Sequence, residues 1–176
     1  VDIIEGVMRL PIATNFDQFR KIVTGFGALD VNWTYSDKEG NIGYQLGVPI
    51  PIRDYSNTYS KLNVEETSAR WQGYLPLADT PHAFNPAEGW LASCNNQIVS
   101  QKLQAKLPGF YDPYRITRAN ELLSTKDKFS HEELGAMQMD LISGLSLRWK
   151  SLFARGAGKL GKPGLRGKME AWDGSM

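Results

Sequence analysis

Apolar side chains recur at helical spacing between Thr14 and Phe26, which predicts a helix with one apolar face. The apolar positions of this segment are Phe16, Phe19, Ile22, Val23 and Phe26. Thr14 followed by Asp17 fits a capping box, so we expect the helix to begin at Thr14.

A pattern rich in β-branched and aromatic residues follows over 31–36 and resumes over 42–48. Turn residues separate the two runs, so a β-hairpin is predicted. The acidic and amide side chains over 37–41 resemble half a calcium loop, but the full spacing is absent and we expect a plain turn. The hairpin is expected to end in a rigid extended segment with Pro49, Pro51 and Arg53.

The segment 54–90 shows little periodicity and many turn residues, so we expect a long loop excursion. Four large aromatic residues are expected to pin this excursion to a core: Trp71, Tyr74, Phe84 and Trp90. Helical spacing returns over Arg115–Leu123 and again from Ser130, where Ser130 and Glu133 form a capping box. The apolar face of this second, long helix is formed by Leu134, Met137, Leu141, Leu145 and Leu152. A Gly- and Lys-rich loop is predicted over 154–169.

The composition is that of a globular protein, with 41% hydrophobic and 22% charged residues. The 176 residues suffice for one domain or one piece of a larger domain. The near balance of 20 basic and 19 acidic residues argues against a disordered polyelectrolyte and a wholly basic nucleic-acid binder. No apolar run approaches the roughly 20 residues needed to cross a bilayer. A single cysteine excludes a disulfide framework within the chain.

The charge is unevenly distributed. Residues 1–140 carry 13 basic and 17 acidic side chains, whereas residues 141–169 carry seven basic and no acidic ones. We interpret the basic stretch as a solvated loop, because it has little aromatic interleaving and no recognition motif. Nucleic-acid binding through it is the competing reading, and it would require an affinity that falls steeply with salt.

Common catalytic signatures, such as G-x-S-x-G, GK[ST] and H-E-x-x-H, are absent from the sequence. His82 and His131 are given no role. No motif pairs Cys94 with a histidine base, so we expect a buried apolar thiol. The adjacent Asn95 and Asn96 either form a turn or donate an amide N–H to a developing oxyanion, and the pair taken alone favours the turn.

Several blocks of the sequence resemble the penicillin amidase family of N-terminal nucleophile hydrolases, in content and in order. They are NWTYSDKEGNIGYQLGVPIPIR (32–53), WQGYLPL (71–77), FNPAEGWLASCNN (84–96), YRITRANELL (114–123) and MQMDLIS (137–143). The resemblance covers about residues 10–175, including WDG at 172–174. It implies an α+β chain that forms part of an αββα sandwich with helical additions.

The resemblance also implies hydrolysis of the amide of an acylated amine or a β-lactam side chain. The attacking group is an N-terminal Ser whose own α-amine acts as the base, and an α-amine pKa of about 7.7–8.0 leaves part of it unprotonated. Asn95 matches the family's oxyanion-binding Asn. Arg115, seven residues before Leu122, matches an Arg beside the nucleophile; a surface or helix-capping role is the alternative for it.

Val1 has no nucleophilic atom, so we expect 1–176 to be a single interior fragment of the catalytic large chain, inactive when isolated. The implied partners are a small acylated amide, the rest of the large chain and the small chain, without nucleic acid or membrane. No cofactor or metal is expected in this chain, and calcium is left open for the complete enzyme. The family location is periplasmic or extracellular, with a cytoplasmic one left open. A non-catalytic binding or scaffold domain that retains the family pattern is the alternative function.

Overall fold

The structure is a computed structural model, and it describes residues 3–25, 31–52, 71–98 and 111–176. These residues form helices and a small antiparallel sheet, connected by loops, which confirms the α+β class. The sequence indicates a single fragment over 1–176, and the described residues divide into two compact units. The first unit holds the described residues up to Ser93 with Gln97 and Ile98, and the second holds Cys94–Asn96 and Tyr111–Met176.

The first unit contains two helices and one three-stranded sheet. The helices are α1 (Ile3–Arg9) and α2 (Phe16–Thr24), joined by a 3-10 turn at Leu10–Ile12. The strands are β1 (Asn32–Ser36), β2 (Ile42–Leu46) and β3 (His82–Phe84), with a 3-10 turn at Leu77–Asp79 before β3. β2 lies in the middle and pairs antiparallel with both neighbours, so the predicted hairpin is confirmed.

The cap of α2 lies one residue later than predicted. Asn15, not Thr14, has extended backbone directly before the helix, and its side-chain oxygen accepts from the Gln18 N–H at 2.9 Å. The Gln18 side-chain oxygen in turn accepts from the Thr14 N–H at 3.0 Å. The capping interactions predicted for Thr14 and Asp17 are therefore made by Asn15 and Gln18. Phe26, the predicted end of this helix, lies outside the described residues.

Each face of the sheet carries a buried cluster. The cluster on the α2 side contains Phe16, Phe19 and Val23 with Trp33 and Tyr35 packed against them. The other cluster contains Tyr44, Leu46 and Ile50 with Leu75, Ala83, Leu91 and Ile98. Gly43 lets α2 approach β2, because a Cβ at this position would lie 2.4 Å from the Phe16 ring.

A buried polar network links α2 to β2. The Arg20 Nε donates to the Gln45 Oε1 at 2.7 Å, and its Nη2 donates to the Leu77 carbonyl at 2.7 Å. The Gln45 side chain is fully buried and donates to the Thr80 hydroxyl at 3.1 Å. Burial lowers the pKa of Arg20, since a desolvated cation is disfavoured, although Asp17 opposes this effect.

The predicted loop over 54–90 is wrong at 82–84, where β3 pairs with β2. Three residues are too few to show a strand period, so only the pairing partner reveals this strand. Trp71 and Tyr74 do not pin the segment to a core, because they are 59% and 53% exposed. The backbone holds this stretch instead, since the Ile52 N–H donates to the Gly73 carbonyl at 2.8 Å. Residues 53–70 lie outside the described residues.

The second unit is helical. Its helices are α3 (Tyr114–Leu123), α4 (His131–Gln138), α5 (Gly144–Lys159) and α6 (Pro163–Ala171). The Ser130–Glu133 capping box is confirmed, but the long helix predicted from Ser130 is two helices. The break occurs because the Ser143 hydroxyl caps α5 by accepting from the Ser146 N–H at 3.2 Å.

The loop predicted over 154–169 is also wrong, because α5 continues through Lys159 and α6 begins at Pro163. Proline suits the first position of a helix, and Gly161, with φ +66°, takes the left-handed turn between the two helices. Ala154 and Ala157 of α5 are buried. This packing offsets the low helix propensity of the glycines, roughly 1 kcal/mol each relative to alanine.

Candidate functional site

Asn95 and Asn96 lie side by side in a non-helical segment of the second unit, and their amides are used differently. The Asn96 Oδ1 accepts from the Cys94 N–H at 2.9 Å, which closes a turn. Asn95 has φ +57°, a left-handed conformation that Asn tolerates better than most residues, and its side chain is exposed. The turn reading therefore holds for Asn96, and the Asn95 amide is left for another partner.

That partner is Arg115, in the first turn of α3. Its Nη1 donates to the Asn95 Oδ1 at 3.0 Å. Helix α3 begins just before it at Tyr114, whose N–H donates to the Asp112 carboxylate at 2.8 Å. The two site residues predicted from the sequence thus lie in contact, although their roles stay predictions.

The contact determines which end of the Asn95 amide faces outward. A guanidinium has donors and no acceptor, so the Asn95 oxygen must face Arg115 and its NH₂ group is left to donate elsewhere. A donor cation on the amide oxygen also polarises the amide and strengthens its N–H groups as donors. An exposed amide donor backed by a positive charge is suited to stabilise an oxyanion.

A second arginine anchors α3 one turn after Arg115. The Arg118 Nη2 donates to the Asp140 Oδ2 at 2.7 Å, and its Nε donates to the Oδ1 at 3.1 Å. These bonds hold the pKa of Asp140 below its usual range and raise the pKa of Arg118. The sequence reasoning missed this pair. The available signals were an Arg one helical turn after Arg115 and an acid in the MQMDLIS block.

Cys94 and the two histidines contribute no assigned chemistry. Cys94 is partly exposed, so the expected buried thiol is wrong; its segment has no regular helix or strand to cover it. The His82 Nδ1 lies 2.7 Å from the Thr80 carbonyl oxygen. His131 is the exposed first residue of α4.

A cavity of about 190 Å³ lies in the first unit. Its lining residues are Thr34, Tyr44, His82, Ala83, Leu91, Ala92, Ser93 and Ile98. Among the aromatic residues of the hairpin, Tyr44 lines this cavity, whereas Trp33 and Tyr35 pack against α2.

The basic stretch over 141–169 makes several contacts within its own unit. Arg148 donates to the Tyr114 hydroxyl at 3.1 Å, and Arg166 donates to Glu170 at 2.8 Å. Across the described ranges, no group of three His, Cys, Asp or Glu side chains could hold a metal ion. None of the helices in the described part of the chain is long and apolar enough to cross a membrane.

Comparison with known proteins places these residues in a family context. The family model for penicillin amidase matches residues 2–176. Penicillin acylase 2 proenzyme from Pseudomonas sp. (strain SE83) is 28% identical over 173 residues, which are 96% of this chain and 22% of that protein. Penicillin G acylase from Escherichia coli is 34% identical over 111 residues, which are 60% of this chain and 13% of that protein.

An acyl-homoserine lactone acylase, QuiP, from Pseudomonas fluorescens is 26% identical over 127 residues, 72% of this chain and 16% of that protein. Among solved structures, a thermostable penicillin G acylase from Alcaligenes faecalis matches with a TM-score of 0.68 at 22% identity. This match covers 97% of this chain and 32% of that one, and it shows a shared fold. The matched residues thus make up between about an eighth and a third of the proteins that this chain resembles.

Proposed function

Because this chain belongs to the penicillin amidase family, we propose that it carries part of the active site of an N-acyl amide hydrolase. In this proposal Asn95 stabilises the oxyanion of the reaction and Arg115 orients Asn95. The observation that carries the proposal is the 3.0 Å hydrogen bond from the Arg115 Nη1 to the Asn95 Oδ1. It leaves the Asn95 amide hydrogens free to donate to a substrate.

The proposed reaction proceeds through a tetrahedral intermediate. A hydroxyl oxygen attacks the carbonyl carbon of the substrate amide, and the carbonyl oxygen becomes negatively charged. The Asn95 Nδ2 donates to that oxygen. The Arg115 cation, which is bonded to the Asn95 side-chain oxygen, offsets the negative charge that develops on the substrate. The intermediate then breaks its C–N bond, and the amine leaves after taking up the proton removed from the nucleophile. Water then attacks the acyl-enzyme ester that remains, which releases the carboxylic acid and restores the hydroxyl.

The nucleophile in this proposal is an N-terminal Ser that lies outside residues 1–176. Its own α-amine accepts the hydroxyl proton, as the resemblance to N-terminal nucleophile hydrolases implies. The relatives are much longer than this chain, which covers 22% of the Pseudomonas proenzyme. We therefore treat the chain as an interior segment of a larger acylase that works with the remaining segments of its precursor, in the periplasm or outside the cell.

The proposed substrate class is a linear amide between an acyl group and an amine. The names of the relatives support this class, because penicillin acylases and acyl-homoserine lactone acylases both act on N-acyl amides. In this account Asn95 contacts the reacting amide and Arg115 contacts Asn95, so neither residue contacts the acyl chain.

An amine-release assay on the full-length protein that contains this chain tests the proposal. The substrates are a phenylacetyl amide, a penicillin and an N-acyl homoserine lactone. We expect at least one of them to yield free amine and carboxylic acid in equal amounts. If none is hydrolysed by protein whose large chain begins with Ser, the alternative of a non-catalytic binding or scaffold domain replaces this proposal.

A further inference from the structure

Helix α3 carries Arg115 but buries none of its own residues, all of which are described. A helix is usually held in place by an apolar face packed into a core, and α3 lacks fully buried side chains that would do so. Within this chain, the position of α3 therefore depends strongly on polar contacts near Arg115. The most extensive of these is the pair of hydrogen bonds from Arg118 to Asp140.

We propose that Arg118 and Asp140 are positioning residues, which hold α3 so that Arg115 meets Asn95. The inference rests on the proposed function of the Asn95–Arg115 pair. Arg118 lies one helical turn after Arg115, so a shift of its anchor point moves the backbone that carries Arg115. The bidentate geometry fixes the direction of the side chain as well as its distance.

Asp140 is a suitable anchor because the connector between α4 and α5 is itself held. The Asp140 Oδ1 accepts from the Ile142 N–H at 3.2 Å. Ile142 forms a bridge with Ser175, and the Ser143 N–H donates to the Gly174 carbonyl at 2.9 Å. The connector is thus tied to the last residues of the chain by backbone hydrogen bonds, and it gives Arg118 a fixed partner.

The other contacts of α3 are weaker anchors. Arg118 also approaches Glu121 at 3.3 Å, but the Glu121 side chain is 59% exposed and lies on the same helix. A pair within one helix cannot fix that helix against its surroundings. Tyr114 contacts Arg148 of α5 through a hydrogen bond of 3.1 Å at the exposed start of α3. By contrast, the Asp140 side chain is 18% exposed.

The test measures kcat and KM of the full-length enzyme with Asp140→Asn, Arg118→Gln and Arg118→Lys. Each value is divided by the folded fraction, which circular dichroism measures. We expect kcat to fall at least about tenfold for Asp140→Asn and Arg118→Gln, because small misplacements of a positioning group are costly, while KM changes little. Arg118→Lys keeps the charge and one hydrogen bond, so its kcat should lie between wild type and Arg118→Gln.

The matched control is Glu121→Gln, which removes the exposed partner of the same arginine and should leave kcat unchanged. In an Arg115→Met background, Asp140→Asn should cost much less than in wild type, because there is no longer a guanidinium to position. Unchanged kcat in Arg118→Gln and Asp140→Asn, equal losses in Glu121→Gln, or full additivity with Arg115→Met would overturn the inference.

A crystal structure of the full-length Asp140→Asn protein separates this inference from the proposed function. We expect the distance between the Arg115 Nη1 and the Asn95 Oδ1 to exceed hydrogen-bonding range there, and to stay near 3.0 Å in Glu121→Gln. This result supports positioning even if the wild-type protein hydrolyses no amide, in which case the proposed function alone fails. An unchanged distance in Asp140→Asn overturns the inference whatever the activity.

Discussion

Arg115 donates to the side-chain oxygen of Asn95 at 3.0 Å, although the two residues stand 20 positions apart in the sequence. The direction of this bond matters more than its existence. Because the guanidinium only donates, the Asn95 oxygen is engaged and its NH₂ group faces away from Arg115. A loop amide in a left-handed backbone conformation is thereby turned into an oriented hydrogen-bond donor.

Replacing Arg115 should impair catalysis more than folding, since its partner Asn95 is exposed. Arg115→Lys keeps a positive charge but holds it on a flexible stem as a compact ammonium, so the Asn95 amide loses its fixed orientation. We expect kcat of the full-length enzyme to fall by roughly tenfold, with a larger loss for Arg115→Met. Arg166→Lys, at an exposed pair with Glu170, is the control. Wild-type kcat in Arg115→Met would remove Arg115 from the site.

The Arg118–Asp140 pair should make stability depend on pH in one direction. Its carboxyl has a folded-state pKa below the usual range, chiefly because Arg118 donates to it. Such a group stabilises the fold above the unfolded-state pKa of about 3.9, and the stabilisation is lost as pH falls through the lower folded-state pKa. Wild type should therefore melt higher than Asp140→Asn at pH 7, and the difference should shrink as the pH falls below about 4. A melting difference that is the same at pH 7 and at low pH would contradict this account.

Because Arg20 and Gln45 share a buried hydrogen bond, we expect the losses of unfolding free energy from mutating each residue not to add. Gln45→Leu leaves the Arg20 Nε without its acceptor in a site where Gln45 is fully buried, and should cost about 3 kcal/mol of unfolding free energy. Arg20→Met with Gln45→Leu removes both partners and should cost less than Gln45→Leu alone. The Thr80 hydroxyl donates to the Leu77 carbonyl at 2.8 Å, and we expect both variants to keep this bond. Denaturant unfolding measures the cycle, and additive losses would argue against the coupling.

Two glycine substitutions distinguish helix from loop over 154–169. Gly167 lies inside α6 with open space where a Cβ would stand, so Gly167→Ala should stabilise the protein by up to about 1 kcal/mol. Gly161 also has open space but a φ of +66°, so Gly161→Ala should destabilise by about 1 kcal/mol. Thermal unfolding of both variants is the measurement. Similar melting temperatures for the two would favour a flexible loop over the α5–α6 turn.

Local patterns predicted the elements whose signals lie within their own residues. The hairpin follows from runs of β-branched and aromatic residues on either side of turn residues, and α3 follows from helical spacing. All of these signals are local. Strand β3 has only three residues and is defined by its pairing with β2, so its sequence is too short to show the alternation that predicts a strand. The apolar repeat continues through Leu141 and conceals the Ser143 cap that ends the predicted long helix. Packing of α5 and α6 outweighs the glycines that favoured a loop.

The site shows the same division. A resemblance to family motifs singled out Asn95 and Arg115, but no local rule joins a loop amide to a helix 20 residues further on. The left-handed backbone of Asn95 and the anchor from Arg118 to Asp140 depend on tertiary contacts that a single sequence does not display. The motifs therefore identified Asn95 and Arg115, and the fold showed how the Asn95 amide is oriented.

The most direct test of the account compares Asn95→Asp with Asn96→Asp in the full-length enzyme. Asp tolerates the left-handed conformation and accepts from Arg115, so Asn95→Asp should fold and melt like wild type. It has no N–H to give an oxyanion, and kcat should fall by roughly 10²–10³. Asn96→Asp keeps the acceptor for the Cys94 N–H and should retain wild-type kcat. An Asn95→Asp enzyme that turns over as fast as the Asn96→Asp control would contradict the central claim that Asn95 stabilises the oxyanion.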